Sequence, residues 1–197
     1  MAILVHRYEA PDRFVAGTVG QPGERTFFLQ AREGNRMTSV VCEKQQVSVL
    51  AEHLDRVLDE VQRRSAGQVD VPPASSTARD TDPLDAPINE EFRVGTMTIA
   101  WDPSIDRIVI ELFSNVDVDD EESAGGTPAS PAEEPDEIDA DEVFVVKITA
   151  PYARDFVARA QALVSAGRPS CPFCLQPIDP QGHICPRANG YRRPLFD

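Results

Sequence analysis

Residues 14–20, FVAGTVG, open a run that continues as RTFFLQA (25–31), MTSVVCE (37–43) and QVSVLAEHLDRVLDEVQRR (46–64). The first three pieces are short and rich in β-branched and aromatic residues. Turn chemistry separates them, at Gln21-Pro22-Gly23-Glu24 and at Glu33-Gly34-Asn35, and they read as three strands of a meander. The fourth piece changes period. Val47, Leu50, Ala51, Leu54, Val57, Leu58 and Val61 step by three and four, as on a helix with one buried stripe.

The same order then returns. FRVGTMTIAW (92–101), RIVIELF (107–113) and VFVVKIT (143–149) read as strands. PYARDFVARAQALVSAG (151–167) reads as a helix with Ala153, Phe156, Val157, Ala160, Leu163 and Val164 on its apolar stripe. Pro151 suits a first turn, and Gly167 with Pro169 suits an end. FVAGT and FRVGT share Phe, Gly and Thr at matching places, which points to an internal duplication; coincidence is the bland alternative, since such units are common. The expected fold is α+β: two similar strand-strand-strand-helix units forming a two-layer antiparallel sheet/helix sandwich. Residues 3–8, ILVHRY, are read as an added edge strand.

The expected organisation is a first unit at 1–64, a flexible linker at 65–91, a second unit at 92–168 and a C-terminal module at 169–197. The linker reading rests on Pro, Ser, Asp and Ala content. Within the second unit, residues 115–142 combine acids with Gly, Pro and Ser and are expected to be a disordered insert in a hairpin, with too little apolar surface to offset ordering entropy. The chain of 197 residues carries a net charge of −14; residues 117–142 hold twelve acids and no Lys or Arg, so the remainder is left with −2. The acidity thus belongs to one segment. Lys44 and Lys147 are the only lysines, and the Arg bias is read as genome composition. No run of 18 apolar residues exists, and the start lacks a basic-then-apolar leader, so a cytoplasmic protein with no membrane association is expected.

In that compartment clustered cysteines are metal ligands or redox groups before they are disulfides. CPFCLQPIDPQGHICPRANG (171–190) holds three of the four cysteines. Cys171 and Cys174 form C-x-x-C, and His183 with Cys185 follow as H-x-C. A C-x-x-C turn sets two thiolates on one side of a knuckle, and Asp179-Pro180-Gln181-Gly182 can reverse the chain. Four ligands within fifteen residues can close a Cys3His tetrahedron without help from the body, and a closed tetrahedron is a structural site with no place for water. One structural zinc ion is therefore expected, its binding supplying most of the module's folding energy. H-x-C is tighter than the usual second pair, and a reduced C-x-x-C with unrelated neighbours is the competing reading. Iron suits the same ligands. A thioredoxin-like site is disfavoured because the pair does not open a helix after a strand. A zinc deaminase is disfavoured because the nearest H-x-E analogue is His53-Leu54-Asp55 on a helix.

The tail PRANGYRRPLFD (186–197) places Arg187, Arg192 and Arg193 around Asn189 and Tyr191. These five are candidate ligand-binding residues, able to hold phosphate or stack on a base; a solvated tail packing Tyr191 and Phe196 is the alternative. The acidic insert lying on this tail is a further, salt-sensitive arrangement. Cys42 and Trp101 are read as core packing, His53 as a helix-surface or partly packed residue, and His6 has no assigned role. P-loop, dinucleotide-binding, G-x-S-x-G and H-E-x-x-H patterns are absent.

PDRFVAGTVGQPGERTFFLQA (11–31) together with CPFCLQPIDPQGHICPRANGYRR (171–193) resembles an actinobacterial family, domain of unknown function 3090, over nearly the whole chain. The resemblance implies a cytosolic bacterial protein with a zinc-ribbon-like C-terminus and carries no catalytic residues. The leading expectation is a non-enzymatic adaptor that binds another protein. Nucleic-acid binding through the module and its Arg-rich tail is the first alternative, with salt-steep affinity as its signature. An enzyme with a site in a groove between the halves is the second.

Overall fold

The computed structural model describes residues 3–21, 23–65, 67–75, 78–115, 140–166, 171–174, 178, 184–185 and 187. The described residues are mixed α+β, with a seven-stranded sheet and two helices. After β1 (Leu4–Tyr8) come β2 (Arg13–Val19), β3 (Thr26–Glu33), β4 (Arg36–Cys42) and α1 (Lys44–Ser65). Then follow β5 (Glu90–Asp102), β6 (Arg107–Ser114), β7 (Glu142–Ile148) and α2 (Ala150–Ser165).

The sheet order is β1-β7-β6-β5-β4-β3-β2. Each three-strand run is an antiparallel meander. The expected all-antiparallel sheet is corrected at two seams: β4 pairs β5 in parallel, and β1 pairs β7 in parallel. The reason is connectivity. A strand leaving α1 must be carried back to the starting end of β4 before it can pair, and a parallel neighbour needs a long crossover of that kind.

The helices form where their stripes and caps agree. At the start of α1 the Gln46 side chain accepts from the Glu43 N–H at 2.8 Å and donates to the Val94 carbonyl at 2.9 Å, tying the helix start to β5. Val47, Leu50, Ala51, Leu54, Leu58 and Val61 are buried on one face, each fully buried Leu contributing about 2 kcal/mol relative to exposure. Thr149 caps α2, with Pro151 in its first turn. Both helices pack into one core with Phe14, Leu29, Val40, Ile110, Leu112, Phe144 and Val146 of the sheet. Arg154 of α2, buried, donates to Asp55 and Asp59 of α1 and to the Pro72 carbonyl.

The sheet cannot be flat. β1 and β2 are its two edges, yet only residues 9–12 join them. Six inter-strand spacings would separate the edges by about 29 Å, whereas five Cα steps reach about 18 Å at most. The sheet curls, and it curls toward the helices. Tyr8 and Thr38 lie on the core-facing side of β1 and β4, and the Tyr8 hydroxyl donates to Thr38 Oγ1 at 2.8 Å. The Arg36 guanidinium stands 4.5 Å over the Tyr8 ring. Phe144 meets Tyr8 edge-on at 5.5 Å, and Phe14 stacks on Phe156 of α2 at 4.7 Å.

The opposite face of β2–β4 is covered too, by the segment expected as a free linker. Side chains two apart on a strand share a face, so Arg13, Val15 and Gly17 point away from the helices. A Cβ on Gly17 would stand 2.4 Å from Leu84 Cγ, so only glycine admits this approach. Arg13 donates to both oxygens of Asp80, at 2.7 and 3.0 Å, and to the Pro83 carbonyl. Gln30 accepts from the Asp85 N–H at 2.8 Å. Arg159 of α2 donates to Asp80 Oδ1 at 2.8 Å and to the outward Ala16 carbonyl at 2.7 Å, while the Tyr152 hydroxyl accepts from the Phe14 N–H at 2.6 Å. Side chains of α2 therefore close the β2 edge. Residues 79–85 form a strap bonded to both layers, and the β2–β3 part of the sheet is sandwiched rather than two-layered. The composition of 65–91 conceals this because its partners are arginines on other elements.

Of the expected acidic insert, residues 116–139 lie outside the described residues. Its ends belong to the sheet: the Asn115 N–H donates to the Arg93 carbonyl at 2.9 Å, and Glu142 opens β7.

Candidate metal centre

Pro172 shapes a tight turn over residues 172–174, which brings Cys171 and Cys174 to one side. The backbone N–H groups of Cys174 and Phe173 face the Cys171 sulfur. Cys185 comes from the other arm of the module, and its sulfur lies 3.6 Å from that of Cys171. The sulfurs of Cys171, Cys174 and Cys185 all lie within 4.8 Å of one another. Cys171 and Cys185 are only 3 % and 5 % exposed.

These distances discriminate between chemistries. A disulfide needs about 2.05 Å between sulfurs. A tetrahedral ion with metal–sulfur bonds of about 2.3 Å sets its thiolates about 3.8 Å apart. The observed 3.6 Å is that of unbonded sulfurs, within reach of a thiol–thiol hydrogen bond, and is close to the spacing an ion would set. The thiol of Cys171 is also disposed to ionise. Desolvation opposes its charge, but the N–H groups of Cys174 and Phe173 and the thiols of Cys185 and Cys174 outweigh that and bring it down to about 6. Cys42 is the contrast: burial, then the neighbouring charge of Glu43, pushes its thiol up to about 12, against a smaller opposing effect of Arg93. It is a core residue, as expected.

Of the expected ligand set the structure gathers Cys171, Cys174 and Cys185, while His183 lies outside the described residues. Of the expected ligand-binding residues, Asn189, Tyr191, Arg192 and Arg193 also lie outside them. Arg187 does not stand apart as a free cation: its Nη1 donates to the Phe173 carbonyl at 3.0 Å.

The family described as protein of unknown function, DUF3090, matches residues 6–185. The chain belongs to this DUF3090 family. The match runs from β1 to Cys185, so it takes in every helix and strand except the first residues of β1, and all three clustered cysteines. No curated protein and no solved structure matches the chain.

Elsewhere in this DUF3090 chain, a cavity of about 500 Å³ lies between the last turns of α1 and the β5–β6 hairpin, walled by Val57, Val61, Val69, Trp101 and Pro103. Its charged groups are Glu60, Arg64 and Asp106, and Arg64 is paired with Glu60. Trp101, read from sequence as core packing, does pack partly buried against the core and also walls this cavity. Periodicity could not find this site, because its walls come from elements joined by no local pattern.

Proposed function

We propose that this DUF3090 protein binds one structural zinc ion through Cys171, Cys174 and Cys185, with His183 as fourth ligand, and that the zinc-ribbon-like module so formed is a protein-binding element. The 3.6 Å separation of the Cys171 and Cys185 sulfurs carries the metal reading. Thiolates suit zinc, and a closed Cys3His set leaves no position for a reacting water, so the ion holds structure. None of the four cysteines is in a disulfide, in keeping with a reducing, cytoplasmic setting.

Support for the binding role comes from two side chains. Phe173 and Ile184, one on each arm of the module, are 61 % and 83 % exposed. Large apolar residues held in water on a metal-stapled element are the composition of a recognition tip. The bond from Arg187 to the Phe173 carbonyl favours the protein-binding reading over the nucleic-acid one, since it gives one arginine of the tail a partner within the module. The duplication is part of the same proposal: the element order repeats, and Gly95, the counterpart of Gly17, also sits at a close approach, its Cβ position 3.0 Å from Asn115 Cα.

The deciding measurement is metal content with native mass spectrometry of the full chain, beside Cys171→Ser. One zinc per chain, lost in Cys171→Ser, is the expected result; iron would change the ion, and no metal would overturn the reading. For the binding role, a Phe173→Asp/Ile184→Asp variant that keeps its zinc should lose whatever partner the wild type retains. Equal retention by both would overturn the adaptor reading.

A further inference from the structure

Arg187 stands two residues beyond Cys185, on the arm opposite the Cys171–Cys174 knuckle, and its Nη1 reaches back to the Phe173 carbonyl at 3.0 Å. That carbonyl is half of one peptide unit. The other half is the Cys174 N–H, which faces the Cys171 sulfur. A peptide unit is planar and stiff, so holding its oxygen also aims its hydrogen. Arg187, the Phe173–Cys174 peptide and the Cys171 sulfur are thus three links of one chain.

We infer that Arg187 is a positioning residue for the metal centre, acting on the Cys171 sulfur through the Phe173–Cys174 peptide; this rests on the metal reading above. Two effects follow from the chemistry. A cationic donor makes a stronger bond to the carbonyl than a neutral one. Drawing electron density toward the oxygen makes the N–H at the other end a better donor, since linked hydrogen bonds polarise one another. The sulfur that receives this N–H is then better aimed at the ion. The bond also fastens the arm carrying Cys185 to the knuckle carrying Cys171 and Cys174. Groups that orient metal ligands from behind typically change affinity about 10–100-fold when removed. The residue expected from sequence to meet an external ligand is in this reading a brace of the module itself, though exposed.

The test uses the full chain and zinc(II) alone, with affinity measured by competition against a chromogenic chelator and the Cys174 amide followed by NMR. Arg187→Ala should still bind one zinc, about 10–100-fold more weakly, with the Cys174 amide proton moved upfield as its bond to sulfur weakens. Arg187→Lys, which keeps a cationic donor, should recover part of both. The sheet amides report whether the body stays folded in each variant. Unchanged affinity in Arg187→Ala overturns the proposal, and so does a weaker affinity with an unmoved Cys174 amide, which would mean a contact that does not pass through the peptide. A wild type that binds no zinc overturns the metal reading itself, and a wild type that binds zinc while the variants match it overturns only the role of Arg187.

Discussion

The Tyr8 hydroxyl donates to Thr38 Oγ1 at 2.8 Å across the inner face of a curled sheet whose order places three strands between β1 and β4. Tyr8 is fully buried, so the bond has no competing water. Tyr8→Phe leaves the Thr38 hydroxyl buried without this donor and should cost about 1–2 kcal/mol in urea unfolding. Adding Thr38→Val should recover part of that loss, because both polar groups are then gone. A double variant as unstable as the sum of the singles would show that the two residues do not act as a pair.

Alkaline pH should act through the same region. Burial raises the phenol of Tyr8, opposed by the Thr38 bond, and burial likewise raises that of Tyr152. A phenol raised in the folded state keeps its proton longer there than in the unfolded chain. The stability it contributes is complete below the unfolded value of about 10 and is lost as pH rises through the folded one. Unfolding free energy should therefore fall above about pH 10, and less steeply in Tyr8→Phe. Equal slopes would remove Tyr8 as the cause.

At the acid end the strap is the sensitive part. The bond from Arg13, then the charges of Arg13 and Arg159, lower the carboxyl of Asp80. Its contribution is present above the unfolded value of about 3.9 and is lost as pH falls through the lower folded value. Asp80→Ala should remove that acid dependence and cost about 2–4 kcal/mol at neutral pH, since it leaves Arg13 and Arg159 without their shared anion. Chymotrypsin cleavage after Leu84 should accelerate in the variant. Cleavage at the wild-type rate would mean that Asp80 does not hold the strap.

Gly17→Ala tests the strap from beneath. The new methyl would meet the Leu84 side chain at 2.4 Å, an overpacking worth about 1–3 kcal/mol. Leu84→Ala in the Gly17→Ala background should relieve most of it. A Gly17→Ala protein as stable as the wild type would show that the strap moves aside at little cost.

Thiol labelling separates the four cysteines. With its thiol pushed up to about 12 by burial, Cys42 should resist iodoacetamide at pH 8 until the fold is denatured. Metal-free protein should take up label at Cys171, Cys174 and Cys185, and zinc should suppress all three. Intact-mass spectra count the adducts, and rapid labelling of Cys42 in the native chain would contradict its place in the core.

Much of this was legible in the residues. Periods of two and of three to four marked the six principal strands and both helices, because they depend on side chains a few positions apart. C-x-x-C with a nearby Cys marked the cysteine cluster for the same reason: its thiols fit within one short arc of chain. The strap was hidden because the composition of 65–91 describes what those residues lack, an apolar stripe, and not what they bond to. The bond of Arg187 to the Phe173 carbonyl was hidden because a basic tail looks alike whether its guanidinium faces a ligand or a carbonyl.

The sequence by itself determined which segments are strands and helices, which faces they bury and which thiols can share an ion. Tertiary structure decided the parallel seams, the curl of the sheet and the covering of its second face. Those depend on pairs such as Tyr8 with Thr38, 30 residues apart, and Arg13 with Asp80, 67 apart. Such groups have no preference for one another until the chain has brought them together, and the free energy that joins them comes from burial and bonding that only the folded state supplies.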